Sequence, residues 1–283
     1  MRLLILMRSL YRFALILFLF TGCSLEQKLA RSFVEADKPR EFLLLRPSII
    51  YKYNLKEFEI PGLDTMEGFR KESMLLENSL FLRAVTDSLL IEQFTAGFGK
   101  TLESYNSRVI PGNSIDTLME NGGTPYIINI AQFSLEEYIH PYSSEEEVYD
   151  EIIVIDGIDL NAINFNVWLE LGRMNTEKKN KVLFVSDYLL DAMGGTLKQS
   201  LLSGKMSFDY TIDTITMPQV YEFARRFGKK SAEYLFDYLM NDYIWENIPE
   251  DYPYDRYYYH YDPLRNIIYP VGDEERIIEL EGY

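Results

Sequence analysis

Hydrophobic residues recur along this chain with two periods, one typical of strands and one typical of helices. In residues 164–171, polar and apolar side chains alternate as Asn-Phe-Asn-Val-Trp-Leu-Glu-Leu. Because successive side chains of a strand point to opposite faces, this segment predicts a strand with one dry face and one wet face. Similar patterns predict further strands at 42–45 and 49–55 with a bend at Arg46-Pro47, and at 108–110, 126–138, 148–158, 162–171, 181–188 and 206–215.

Apolar residues recur at helical spacing in two longer segments. Between residues 73 and 105 they predict one long helix or two consecutive helices, with Gly97 and Gly99 at the kink or break. A second amphipathic helix is predicted from residue 217 to about 241, since Pro218 is well tolerated in a first helical turn. The order of elements predicts an α+β fold, in which long helices pack on one face of a mainly antiparallel sheet and a tyrosine-rich C-terminal arm follows.

Two polar segments between these elements predict a short helix and a turn. Asn113 or Ser114 is suited to cap a helix through Glu120, which Asn121-Gly122-Gly123 would end. Asp156-Gly157-Ile158-Asp159 has the composition of a turn between two strands. That turn lacks the alternating oxygen ligands and the closing Glu of an EF-hand, so it predicts no calcium site.

The N-terminal sequence resembles a bacterial lipoprotein signal peptide. A positively charged segment with Arg2, Arg8 and Arg12 precedes a short apolar run at 13–20. Small residues separate this run from Cys23, the only cysteine of the chain. The run is too short for a transmembrane helix, which needs about 20 apolar residues. We therefore predict cleavage before this cysteine and acylation of it. The alternative is an ordinary buried cysteine behind a secretory signal or an uncleaved anchor.

These patterns divide the chain into four predicted segments. Residues 1–22 are the signal peptide, which would be shorter if translation began at Met7. Residues 23–40 are polar and predict a lipidated tether, with a docked N-terminal helix as the alternative. The α+β domain then covers residues 41–244, and the tyrosine-rich arm covers residues 245–283.

The chain is acidic, with 28 Lys and Arg against 44 Asp and Glu and a formal net charge of −16. Loss of the signal peptide would remove three Arg and make this charge more negative. Nucleic acid is not expected as a partner, since binding a polyanion needs Lys and Arg against phosphates. Acyl chains, rather than attraction to anionic lipid, would hold the protein on a membrane. With a single cysteine, neither a disulfide nor a cysteine-based metal site is expected.

No pattern predicts a catalytic residue, a metal or a cofactor. The segment 97–101, Gly-Phe-Gly-Lys-Thr, ends like a phosphate-binding loop, but Phe94 stands where that loop has its first glycine. It also follows a predicted helix instead of a strand, so no nucleotide is expected. His140 and His260 are the only histidines, and neither lies at a recognisable zinc-ligand spacing. A hydrolase that uses a pair of carboxylates remains an alternative function, because 44 acidic residues allow many pairings.

Tyrosine is concentrated near the C-terminus. A tyrosine presents a flat apolar ring and a hydroxyl, which suits stacking on a sugar ring or burial in a protein interface. The alternative is an arm whose tyrosines pack over the main sheet. Six tyrosines in ten residues are the candidate site for a ligand or partner: Tyr252, Tyr254, Tyr257, Tyr258, Tyr259 and Tyr261.

Three stretches of the predicted α+β domain share the pattern of a known family. Residues 42–45 stand where that family has its first buried strand, 109–119 where it has a strand and a short helix, and 126–130 with 164–171 where it has later paired strands. Gly122-Gly123-Thr124 stands at its small polar turn. The domain thus resembles the periplasmic α/β domain shared by the curli-secretion lipoprotein family and the amino-terminal domain of TolB. The resemblance implies a non-enzymatic, envelope-anchored accessory or assembly component, and it does not extend to the tyrosine-rich tail or to pore formation.

The leading expectation is a membrane-anchored lipoprotein that acts as a non-enzymatic binding or assembly component of the bacterial cell envelope. Its expected partners are the membrane, through the N-terminal lipid, and other envelope proteins. Ser24 after the cysteine, in place of Asp, favours the outer membrane. One alternative is a surface glycan-binding lipoprotein that uses the tyrosines between 252 and 261, and another is the hydrolase with a carboxylate pair.

Overall fold

The computed structural model describes residues 24–57, 60–114, 125–148, 151–174, 179–199, 206–252, 257–272 and 276–280. The predicted signal peptide, Cys23, Tyr254 and most of the predicted short helix lie outside these residues. The chain divides into two compact units. Unit 1 comprises Met1–Lys38 and Phe236–Glu274, and unit 2 comprises Pro39–Leu235 and Glu275–Tyr283.

The described residues form four α-helices and eleven strands. The helices are α1 (Leu25–Val34), α2 (Gly68–Glu77), α3 (Asp87–Ser104) and α4 (Met217–Asn247). The strands are β1 (Arg40–Leu45), β2 (Tyr51–Asn54), β3 (Ser107–Pro111), β4 (Tyr126–Val148), β5 (Glu151–Arg173), β6 (Lys181–Leu190), β7 (Ala192–Gln199), β8 (Met206–Asp213), β9 (Tyr258–Asp262), β10 (Ile267–Val271) and β11 (Ile278–Leu280).

Seven strands of unit 2 form one sheet with the order β11-β6-β5-β4-β1-β3, and β2 pairs with β4. The short strands β1, β2 and β3 make its parallel pairs, whereas the long strands β4, β5 and β6 are antiparallel. Strands β7 and β8 form a separate antiparallel hairpin. The predicted α+β class with a mainly antiparallel sheet is confirmed.

Helix α3 and the first part of α4 cover one face of the sheet. The ring of Phe165 on β5 lies 4.8 Å from that of Phe223 on α4, and Phe133 on β4 lies 5.0 Å from Phe94 on α3. Phe227 of α4 contacts the rings of Phe94, Phe133 and Phe165. Each such aromatic pair adds about 0.5–1.5 kcal/mol beyond the area that it buries. This cluster holds both helices on the same face, as predicted.

The alternation predicted for residues 164–171 is confirmed. Phe165, Val167 and Leu169 of β5 are buried on the face that the helices cover. Asn164 and the other even-numbered residues of this stretch lie on the opposite face, which we call the open face.

Strand β5 is longer than predicted. It runs through Asp156-Gly157-Ile158-Asp159, so the turn predicted there is wrong. The register against β4 shifts between Ile155 and Ile158. The glycine therefore marks an irregularity inside a continuous strand, a position where a bulge tolerates glycine well.

The predicted break at Gly97 and Gly99 is also wrong, because α3 is continuous from Asp87 to Ser104. A Cβ atom at Gly97 would overlap the carbonyl oxygen of Arg225 on α4, and one at Gly228 would overlap the carbonyl oxygen of Phe94 on α3. Both glycines therefore permit the backbones of α3 and α4 to approach closely. The helix break lies instead between α2 and α3.

Unit 1 contains α1, the hairpin β9–β10 and residues 236–247 of α4. The ring of Phe33 on α1 lies 5.5 Å from those of Phe236 and Tyr243. The hydroxyl of Ser24 accepts the backbone N–H of Gln27 at 3.2 Å and caps α1. The segment predicted as a tether is thus largely a helix with buried residues, as the alternative prediction had it.

An ion pair between Lys56 and Glu137 is buried inside unit 2. The ammonium Nζ lies 3.1 Å from the carboxylate, and the two side chains are 2 % and 0 % exposed. The carboxylate also accepts the backbone N–H groups of Leu80, Phe81 and Leu82 at 2.8–3.3 Å. It therefore anchors the loop between α2 and α3 to the middle of β4.

The same network continues to the base of the β7–β8 hairpin. Lys56 donates to Oδ1 of Asn161 at 2.7 Å, and Asn161 donates from Nδ2 to the buried carboxylate of Asp191 at 2.8 Å. That carboxylate also accepts the backbone N–H groups of Asn161 and Ile215. Asp191 and Ile215 flank the two ends of the hairpin, so one carboxylate closes it.

We predict opposite effects for alanine at Gly97 and Gly99. Gly97→Ala should lower the free energy of unfolding by about 1–3 kcal/mol, because its methyl group would press against a helix backbone. Gly99→Ala is the matched control, since its nearest neighbour would be a Val109 methyl group at 3.9 Å. It should be neutral or stabilising by up to about 1 kcal/mol. Chemical denaturation measures both, and equal effects would contradict the close approach of the helices.

We predict strong coupling between Lys56 and Glu137. Lys56→Met should cost about 3–5 kcal/mol, because it leaves a buried carboxylate without its cation. Combining it with Glu137→Gln should cost less than the sum of the single changes, since the amide carries no charge and its oxygen still accepts the backbone N–H groups on one side. A double-mutant cycle measured by urea denaturation tests this. Additivity within about 0.5 kcal/mol would show that the pair is not coupled.

Candidate functional site

Three of the six tyrosines predicted as a binding site lie in the core of unit 1. Tyr258, Tyr259 and Tyr261 are 5 %, 4 % and 9 % exposed, so their ring faces are not available for stacking on a ligand. Tyr257 is half exposed, and Tyr252 is partly exposed. The described part of the tyrosine-rich segment therefore contributes mainly to the packing of unit 1.

Polar side chains of α4 hold β9 in this buried position. Asn241 donates from Nδ2 to the carbonyl of Tyr259 and accepts the N–H of Tyr259, both at 2.8 Å. Asp237 accepts the N–H of Tyr261 at 3.1 Å. Burial raises the pKa of the Tyr259 phenol, and a hydrogen bond to Ser24 opposes this shift.

His260 lies beside the buried carboxylate of Asp237, with Nδ1 2.6 Å from Oδ2. A carboxylate in this place orients an imidazole in hydrolytic triads, but a triad also needs a nucleophile within reach of the other ring nitrogen. The ring packs edge-on against Tyr269, with 5.3 Å between centroids. In the observed geometry the pair ties β9 to α4. Within the described ranges, no three His, Cys, Asp or Glu side chains are grouped to hold a metal ion.

A second candidate site lies on the open face of the sheet in unit 2. Its residues come from β2, β4, β5 and β6, and the strand register aligns them in rows. One row is Tyr53, Glu136, Asn164 and Tyr188, and the next is Tyr51, Ser134, Asn166 and Ser186. Together with Tyr138 and His140 at one end, we call these residues the open-face cluster.

The centre of the open-face cluster is a band of polar side chains bonded to one another. Asn164 donates from Nδ2 to Oε2 of Glu136 and to Oδ1 of Asn166, each at 3.1 Å. The hydroxyl of Ser186 lies 3.0 Å from Oδ1 of Asn164 and 2.8 Å from Oδ1 of Asn166. These bonds orient both amides, so the polar groups are in place before any ligand arrives.

Aromatic side chains border this polar band. Tyr51 and Tyr53 are each 44 % exposed and Tyr188 is 54 % exposed. The ring of His140 is nearly parallel to that of Tyr188, at 14° and 6.5 Å between centroids, and it also contacts Tyr138. The pKa of the Tyr138 phenol is raised, first by burial and then by the nearby Tyr188 and Glu136. Tyr138 is therefore a neutral phenol at physiological pH.

Sequence reasoning found only part of the open-face cluster. The alternation of residues 164–171 predicts that Asn164 and Asn166 lie on the face opposite the buried rings, and this is confirmed, although Asn166 itself is only 4 % exposed. The remaining members were missed, because their proximity depends on strand pairing over long sequence separations. Two signals were available: the tyrosines on either side of Lys52, and the polar or aromatic residues at alternate positions from 134 to 140.

Comparison with models of known protein families finds none that matches this chain, and comparison with curated proteins finds no match either. Across the ranges that the structure describes, none of the helices combines the length and the apolar character needed to cross a membrane.

Proposed function

We propose that this protein is a bacterial envelope lipoprotein, anchored through lipid on Cys23, whose folded part is a non-enzymatic binding component. The open-face cluster is the observation that carries the proposal, because it combines exposed rings with polar groups in fixed orientations. Surfaces that bind partners are enriched in aromatic residues, which offer large contact areas at a small cost in side-chain entropy.

The signal-like sequence before Cys23 supports the anchored location, with the outer membrane as the proposed site. The likeness of the element order to the periplasmic α/β domain of envelope lipoproteins agrees with a binding or assembly role. The binding surface proposed from the structure differs from the one proposed from the sequence. It lies on β2, β4, β5 and β6 instead of on the tyrosines between 252 and 261, three of which are core residues.

Anchoring predicts a defined result for Cys23→Ala. Wild-type protein should incorporate labelled palmitate and sediment with membranes, because the acyl chains would supply the membrane affinity. The variant should incorporate no label. Fractionation alone is weaker evidence, since an uncleaved apolar segment could retain the variant in the membrane. Equal labelling of both proteins would contradict lipidation at this thiol.

Binding through the open-face cluster predicts a site-specific crosslinking pattern in the cells that make the protein. A photoreactive phenylalanine analogue at Tyr53 or Tyr188 should give discrete adducts, because both rings would lie against the bound partner. Phe69 on α2 is the matched control, since it is 83 % exposed and lies outside the cluster. Its replacement by the same analogue should give no such adduct. The proposed surface is wrong if Tyr53 and Tyr188 give no adducts, or give only those that Phe69 gives.

A further inference from the structure

The open-face cluster has unused hydrogen-bonding capacity of both kinds. The side-chain amide of Asn164 donates both of its N–H groups, one to Glu136 and one to Asn166. Among the described residues, no hydrogen bond reaches the second carboxylate oxygen of Glu136 or leaves Nδ2 of Asn166, a residue that is 4 % exposed. The single proton of the Ser186 hydroxyl faces two amide oxygens. A ligand here therefore meets a charged acceptor, an amide donor and a hydroxyl within one band.

Ser134 adds a buried polar group without a partner. The residue is 1 % exposed, and its buried hydroxyl makes no hydrogen bond among the described residues. It shares the open face and one register row with Tyr51 and Asn166. An unsatisfied buried hydroxyl costs about 1–3 kcal/mol. This one is closed to solvent, so a ligand reaches it only if the neighbouring side chains move on binding.

This mixture of donors and acceptors matches hydroxyl groups. A hydroxyl donates one hydrogen bond and accepts others, so it pairs with a carboxylate oxygen, an amide N–H or a serine hydroxyl equally well. A fully anionic ligand would need mainly donors and positive charge. The cluster contains neither Lys nor Arg, it contains the carboxylate of Glu136, and the chain has a formal net charge of −16.

The rings suit a chain of sugar units instead of a single unit. Tyr53 and Tyr188 stand at the two ends of one register row, on β2 and β6, with β4 and β5 between them. Neighbouring strands lie about 4.8 Å apart, so the rings border a band roughly 14 Å wide. Apolar C–H faces of pyranose rings pack on tyrosine rings, while the equatorial hydroxyls point sideways toward the polar band.

Building on the proposed binding function, we infer that the open-face cluster binds a neutral oligosaccharide or polysaccharide. Tyr53 and Tyr188 stack on sugar rings, and Glu136, Asn166 and Ser186 bind hydroxyl groups between them. Uronic-acid polymers are excluded, because their carboxylates would lie against Glu136 with no cation to compensate.

The inference is tested by calorimetric titration of the full-length protein in detergent. The probes are cellohexaose, maltohexaose and mannohexaose as neutral chains, and the hexamer of galacturonic acid as the matched anionic chain. At least one neutral chain should bind, and the anionic chain should not. Tyr188→Ala, Tyr53→Ala and Asn166→Ala should each weaken binding about tenfold or more, whereas Tyr188→Phe keeps the ring and should bind within about threefold of wild type.

Phe69→Ala is the control for nonspecific contact and should bind like wild type. Thermal melting of each variant checks folding, which the exposed positions of Tyr53 and Tyr188 should leave intact. If no neutral chain binds while Tyr53 and Tyr188 crosslink to a protein in cells, the glycan inference is overturned and the proposed binding function stands. If neither sugar binding nor crosslinking is found, both fall. Equal binding of the anionic chain would overturn the selectivity argued here.

Discussion

The buried ion pair of Lys56 and Glu137 is the constraint on which the rest of unit 2 depends. Two charges with almost no contact with water are tolerated only when every remaining polar atom near them is satisfied. The surroundings meet this demand through the backbone of residues 80–82, Asn161 and, one step further, Asp191. A loop, three strands and the base of a hairpin are thereby brought into one arrangement. An alternative packing of these elements would leave a charge buried and unpaired.

The register of β4 also determines what the open face presents. Glu136 and Glu137 are neighbours in β4, yet Glu137 points into the core and Glu136 lies in the polar band. Side chains of a strand alternate between faces, so a slip of one residue would exchange these two acids and turn Tyr138 and His140 inward. A carboxylate would face Lys56 in either register, but the slip would also turn the buried Phe133 and Leu135 out of the core. The apolar residues of β4 therefore select the register, and the ion pair holds the strand in it.

The sequence predicted the parts of this fold that depend on local periodicity. The alternation of residues 164–171 identified both faces of β5, and the helical spacing located α4. The predictions at Gly97 and Gly157 were wrong because a glycine favours a break in the local sequence pattern. The same pattern occurs when the glycine lies inside a continuous helix or strand, as both do here. Their roles depend on α4 and β4, which lie far away in the sequence. The Glu136-Glu137 pair offered no local signal for which acid would be buried.

The tyrosines show why composition alone does not locate a binding surface. Clustering in sequence made residues 252–261 conspicuous, but β9 lies against α4, and polar contacts from Asp237 and Asn241 hold its backbone there. In the open-face cluster, Tyr53 and Tyr188 are far apart in sequence and share one register row only through strand pairing. The strands hold the backbone of this surface rigidly, and its polar side chains are hydrogen-bonded to one another. A ligand binding there orders few side chains, so more of its contact energy appears as affinity.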